Sequence, residues 1–196
     1  MCNFHKLSLC YALGLCATIT SYAGTQSTCY GTPSKGHLAN GIALPLSGKN
    51  WGVYTELGYQ LGRTYVHSKV GDIVVKAYSQ LESTAAGKKF SYGETGLKNG
   101  GVFTPHRSHQ NGTSIDFMVP VVDEHGKSVH LPMNPLNKFG YDIEFDAQGR
   151  FKNLTIDFEA MSEHLYQLHI AAKQADQDLV QVSSVPTFPH QNTVSQ

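Results

Sequence analysis

His109 and Asp116 stand seven residues apart in the stretch PHRSHQNGTSIDFMVP, an imidazole in a polar loop and a carboxylate at the mouth of an apolar run. One chemistry suits that pairing. Zinc accepts imidazole nitrogen and carboxylate oxygen at about 2.0–2.2 Å, and a catalytic zinc keeps three protein ligands and one water. Between the two residues, QNGTS is a flexible turn in which Gly112 permits tight curvature. Strand side chains alternate, so Asp116 faces away from Ile115 and Phe117 and can line a cleft while they fill the core. The spacing is equally that of an ordinary loop entering an ordinary strand. The pair alone leaves both open.

The elements that would position these residues can be read from periodicity. SIDFMVPVV is the clearest strand, with Ile115, Phe117 and Val119 on one face and Asp116 and Met118 on the other. DEHGK is a turn and SVHLP a returning strand, and FGYDIEFDAQGRF suggests a second hairpin. Upstream, glycine and proline punctuate residues 31–62 every few positions, which predicts short strands and loops rather than a helix. Val70, Ile73, Val74, Ala77 and Leu81 recur at helical spacing, predicting an amphipathic helix that ends near Gly87. A strand and a glycine-rich turn follow in KKFSYGETGLKNGGVF. The last helix starts at Asp157, a good N-cap, with Met161, Leu165, Leu168 and Ala172 as its stripe. The expected fold class is α+β, a small and mainly antiparallel sheet with flanking helices.

The 15 basic and 15 acidic side chains balance, which argues against a nucleic-acid partner, since that needs a clustered positive surface, and gives no reason to expect attraction to anionic lipid. At the N-terminus, MCNFHK precedes the apolar run LSLCYALGLCATIT and then SYAG. Ser21 and Ala23 are the small residues a signal peptidase needs, so residues 1–23 are expected to be a secretion signal. The apolar run is too short to span a bilayer comfortably, and no stable membrane insertion is expected after cleavage. Leu15 before Cys16 makes a poor lipoprotein site. Removal of the leader takes Cys2, Cys10 and Cys16 and leaves Cys29 alone, with no internal disulfide to form. Residues 24–175 are expected to form the domain. Residues 176–196, polar with two prolines and no period, are expected to be a tail.

Other motifs fall away. HGKS at residues 125–128 lacks the upstream glycine of a phosphate loop, and no Gly-x-Ser-x-Gly elbow is present. His164 and His169 are five apart where a zinc helix needs four, and both are expected to be partly buried structural residues. Glu94, Asp123 and Glu124 are expected to be solvated. Trp51, Tyr54 and Tyr59 suit either a wall for a peptide or core packing. His106 is expected to line the cleft and touch substrate, or else to bond backbone as a loop histidine. Asp142 and Asp146 are candidates to support a ligand.

NGGVFTPHRSHQNGTSIDFMVPV resembles the signature of the penicillin-insensitive murein endopeptidases, relatives of lysostaphin, D-Ala-D-Ala metallopeptidases and the hedgehog domain. Gly100, Gly101, Phe103, His106, Ser108, His109, Gln110, Gly112 and Asp116 stand in register with it. GTPSKGHLANGIALP is similar to the family's opening stretch, and the resemblance runs from about residue 31 to 175. It implies a hedgehog-like or D-Ala-D-Ala-peptidase-like fold. It also implies a periplasmic zinc endopeptidase that cuts the peptide stems of peptidoglycan, with His109 and Asp116 as two ligands of Zn2+.

The family completes its site with a His-x-His near the C-terminus, and this sequence contains no such motif. Three readings follow: a shortened or frame-shifted product, a diverged member in which His130, His169 or His190 fills the third position, or a non-catalytic peptidoglycan-binding protein.

Overall fold

The computed structural model describes residues 26–179. The expected secretion signal, His190 and all but the start of the expected tail lie outside them. Among the described residues, no helix is long and apolar enough to cross a membrane. In chain order, the first elements are β1 (Thr28–Thr32), β2 (Lys35–Ala39), β3 (Ile42–Ala43), β4 (Trp51–Val53), α1 (Glu56–Gln60) and β5 (Tyr65–Val66). Then come α2 (Ser68–Thr84), β6 (Phe90–Tyr92), β7 (Phe117–Met118), β8 (Val121–Val122) and β9 (Ser128–Val129). A 3₁₀ strap (Pro135–Gly140), β10 (Arg150–Phe151), β11 (Leu154–Ile156) and α3 (Phe158–Gln174) complete the set. This is the expected α+β class, its strands divided among four small sheets.

Strand β6 is the centre of the molecule. Phe90, Ser91 and Tyr92 are all buried, between β4, which runs parallel, and β7, which runs antiparallel. The parallel pair requires a crossover, and α2 supplies it. Its predicted apolar face is the observed one: Ile73, Val74, Ala77 and Leu81 are buried. Tyr78 joins them and stacks on Trp51 at 4.8 Å, which places Trp51 in the core rather than on a substrate wall.

The predicted strand SIDFMVPVV is two strands. Pro120 has no N–H for a ladder, and the chain changes sheets there. β7 pairs with β6, whereas β8 pairs with β9 and β11. The Pro120 carbonyl accepts the Asp157 N–H at 2.9 Å and so ties this corner to the start of α3. The faces follow the break: Ile115 and Phe117 pack on the main core, while Met118 and Val119 belong to a second cluster around Val121 and Leu131. The β8–β9 hairpin forms as expected, its turn closed by Asp123 accepting the N–H groups of His125 and Lys127. In FGYDIEFDAQGRF only Arg150–Phe151 becomes a strand, because Asp146 caps its own turn through the N–H groups of Gln148 and Arg150.

Asp157 caps α3 as expected, accepting the Ala160 N–H at 3.0 Å and pairing with Lys88 at 2.6 Å. The buried stripe is offset from the predicted one. Ala160, His164, Leu168, Ala171 and Ala172 face inward, while Met161 and Leu165 are half-buried. Small side chains at this face let α3 lie against α2, and apolar size misleads about which face that is. His164 is therefore fully buried and His169 exposed, where both are expected to be partly buried.

Candidate metal centre

Beyond Tyr92 the chain continues as Gly93, Glu94, Thr95 and Gly96, and every candidate ligand is anchored to this short segment. The β6–β7 pairing extends one step past both strands: the Asp116 N–H donates to the Glu94 carbonyl at 3.0 Å, and the Gly93 N–H donates to the Asp116 carbonyl at 2.7 Å. Asp116 is thereby fixed at backbone level, facing away from Ile115 and Phe117. His109 has φ of 70°, a left-handed conformation for a non-glycine residue. The loop is pinned on both sides of it, Gln110 N–H to the Pro33 carbonyl and His67 N–H to the Gly112 carbonyl, each at 2.9 Å. Gly112 has φ of 77°, and a Cβ there would lie 2.7 Å from Leu38 Cδ2 and 2.9 Å from His67 N. Gly112→Ala is therefore expected to cost about 1–2 kcal/mol or more in urea unfolding. An unchanged midpoint would show that the loop relaxes freely.

The structure brings His106, His109 and Asp116 together, with one ligand atom from each within 4.8 Å of the others. His109 Nε2 lies 3.2 Å from Asp116 Oδ1, and His106 Nδ1 lies 3.6 Å from Asp116 Oδ2. His109 is 3% exposed, whereas the Asp116 side chain is 30% exposed, so the group is closed behind and open in front. Each member is held by a different partner. His109 Nδ1 meets the Thr95 carbonyl at 3.1 Å. A carbonyl only accepts, so Nδ1 carries the proton and Nε2 faces Asp116. His106 Nε2 meets Glu94 Oε2 at 2.5 Å, and a carboxylate likewise only accepts, which directs Nδ1 into the group. Asp116 Oδ2 accepts the Tyr141 hydroxyl at 2.9 Å.

Glu94, expected to be solvated, is 8% exposed and is the hub of the site. It accepts from Tyr54 at 2.9 Å, from the Arg63 guanidinium through both oxygens, and from His106. Burial alone would raise its pKa. The bonds from His106, Arg63 and Tyr54 and the Arg63 charge outweigh that and hold it at about 2. Arg63 also lies 4.1 Å over the ring of buried Phe103 and donates to the Thr104 carbonyl. The signal in the sequence is a carboxylate between glycines at the end of a buried strand. Its partners Arg63 and Tyr141 are remote in sequence, and spacing cannot find them. For His109, burial pulls the pKa down, and the bond and charge of Asp116 more than reverse this.

The donor set fits zinc. A tetrahedral ion with bonds of about 2.0–2.2 Å spaces its ligand atoms by about 3.3–3.6 Å, close to the 3.2 Å between His109 Nε2 and Asp116 Oδ1, while His106 Nδ1 lies 3.6 Å from the other Asp116 oxygen. Histidine ligands ordinarily donate their second ring nitrogen to a carboxylate or a carbonyl, as His106 and His109 both do. Other candidates stand elsewhere. His130 Nδ1 bonds Ser91 Oγ at 2.9 Å, His169 is exposed on α3, and neither joins the group. Asp142 pairs with Lys138, and Asp146 with Arg150. Tyr59 is half-buried, and Tyr54 serves Glu94.

No curated protein matches this sequence. Residues 29–183 match the sequence model of the family described as penicillin-insensitive murein endopeptidase. That span holds every residue of the group and every partner behind it, and the chain belongs to the penicillin-insensitive murein endopeptidases.

Proposed function

We propose that this protein is a zinc endopeptidase of the periplasm that hydrolyses peptide cross-links in peptidoglycan. The observation that carries the reading is the convergence of His106, His109 and Asp116, each oriented by its own hydrogen-bond partner. His106 then serves as a ligand rather than as a contact to substrate. Family membership supplies the murein substrate, and the apolar leader at residues 1–23 supports export to where murein lies.

Zinc held by these residues supplies Lewis acidity toward the scissile carbonyl and a bound water acidic near neutral pH. The chain's own groups prepare the site. Thr95 holds His109 in the tautomer that presents Nε2, and Glu94 does the same for His106 Nδ1. The partly exposed Asp116 marks the side from which a peptide stem enters.

A second reading has one observation in its favour. Among the described residues, no fourth histidine or carboxylate stands in the metal group, and Glu94, which bonds His106, is engaged by Arg63 and Tyr54 rather than placed as a general base. On that reading the protein binds peptidoglycan peptides without cutting them. Metal analysis of purified protein beside His109→Ala, followed by muropeptide digestion, separates the two. About one zinc per chain, lost in the variant, with cleavage of cross-linked muropeptides, is expected. Zinc without cleavage would favour the binding module, and absence of zinc would overturn the metal reading.

A further inference from the structure

We propose that Tyr141 is a positioning residue for the metal site: its hydroxyl fixes the Asp116 carboxylate so that Oδ1 faces His109 as the ligand atom. The inference rests on the metal reading above and concerns a residue that spacing around His109 and Asp116 does not reveal.

The hydroxyl has no freedom in its hydrogen bonding. It accepts the Glu94 backbone N–H at 2.9 Å, so its own proton is directed at Asp116 Oδ2, also at 2.9 Å. One oxygen of Asp116 is thereby occupied, and the other stands 3.2 Å from His109 Nε2. The same bond joins Asp116 to the segment that orients the two histidines through the Thr95 carbonyl and the Glu94 carboxylate. Tyr141 closes the frame around all three.

Two independent features show that the chain is shaped to deliver this hydroxyl. The first is the backbone leading to it. Lys138, Phe139 and Gly140 have φ of 47°, 57° and 100°, so two consecutive non-glycine residues adopt the left-handed conformation just before Tyr141. Side chains disfavour that region, and such backbone persists where surrounding structure holds it. Here Asn134 O accepts the Phe139 N–H at 2.8 Å, and Asn137 Oδ1 accepts the Gly140 N–H at 3.0 Å. The second feature is the space the hydroxyl enters. A Cβ on Gly93 would lie 2.7 Å from the Tyr141 hydroxyl and 3.0 Å from Asp116 Cβ, so only glycine at 93 admits the phenol to the carboxylate. Edge contacts to Tyr54 and His106, at centroid separations of 6.2 and 5.7 Å, seat the ring.

The test is Tyr141→Phe, which keeps the ring contacts and removes only the hydroxyl. Zinc affinity is read by competition with a chromophoric chelator at neutral pH, and ligand geometry by the visible spectrum of the cobalt(II)-loaded protein. Leu136→Ala, a change at a 97% exposed position on the same strap, is the control. Expected for Tyr141→Phe is zinc binding weaker by about 10–100-fold, an altered cobalt spectrum, and a metal-free melting temperature within a few degrees of wild type. Leu136→Ala should match wild type in all three. Wild-type affinity and spectrum in Tyr141→Phe would overturn the proposal, as would a variant that fails to fold, which would make the hydroxyl a structural prop. A wild-type protein that takes up neither zinc nor cobalt would instead overturn the metal reading itself, and this inference with it.

Discussion

Glu94→Ala is expected to lower the unfolding free energy by about 3 kcal/mol and to weaken zinc binding by about 10–100-fold, both from the loss of one carboxylate. Truncation leaves Arg63 charged and three-quarters buried with no counter-ion, and leaves Tyr54 and His106 without acceptors. Removing one partner of a buried ion pair is costly because the other charge stays where it is. His106 loses the acceptor that fixes its tautomer, so Nδ1 is no longer reliably presented to the group. Glu94→Gln separates the two effects. The amide keeps the shape but has only one accepting oxygen for four donor groups on three residues, so most of the stability loss should persist. Urea unfolding at neutral pH measures the first effect and chelator competition the second. Wild-type values for Glu94→Ala in both would remove Glu94 from its place at the centre of the site.

The ionic frame and the metal group are linked by direction as well as by contact. Burial disfavours charge on both Glu94 and His109, yet in each case the bonded partners win. In the metal-free protein the imidazole of His109 therefore competes for protons more strongly than a free histidine. Metal must displace that proton, so affinity should fall as pH is lowered into the range where His109 is protonated.

How much of this was legible in the sequence depends on the range of the interaction. His109, Gly112 and Asp116 lie within one loop and its entry to β7, where alternation and turn chemistry act locally, and the structure sets His109 Nε2 3.2 Å from Asp116 Oδ1. The α2 face and the Asp157 cap are local in the same sense. Pro120 was legible too, but its consequence was not: a proline ends a ladder, yet which sheet receives the next residues depends on β9 and β11. Glu94 misleads because an isolated carboxylate is ordinarily solvated. Its burial depends on Arg63, 31 residues away, and on Tyr54, 40 residues away. Tyr141 reaches Asp116 from 25 residues downstream through left-handed backbone at Lys138 and Phe139, a conformation that neither residue type announces. Such long-range supports define the site as much as the candidate ligands do.

Acid should loosen this protein through His164 at pH values where most carboxylates are still ionised. The imidazole is 3% exposed, its Nε2 has no hydrogen-bond partner among the described residues, and it packs among Tyr78, Phe90 and Phe117 at centroid separations of 5.2, 5.1 and 4.9 Å. Burial lowers its pKa from 6.5 to about 4 in the folded chain. The fold thus favours the neutral ring. Its contribution to stability is fully present above the unfolded pKa of 6.5 and is lost as pH falls through the folded value near 4. The full loss is about 3 kcal/mol. Of the three rings around it only Tyr78 titrates, and burial pushes its phenol upward, so it stays neutral throughout this range. His164→Phe keeps an aromatic ring in the same aromatic box and removes the titration. Between pH 7 and 4.5 the unfolding free energy of wild type should therefore fall by about 2–3 kcal/mol more than that of His164→Phe. The difference between the two curves isolates His164 from His109, whose raised pKa acts in the opposite direction and is common to both proteins. Parallel curves would mean that the ring gains a proton without leaving the core, with a buried water or a shifted helix supplying the missing partner.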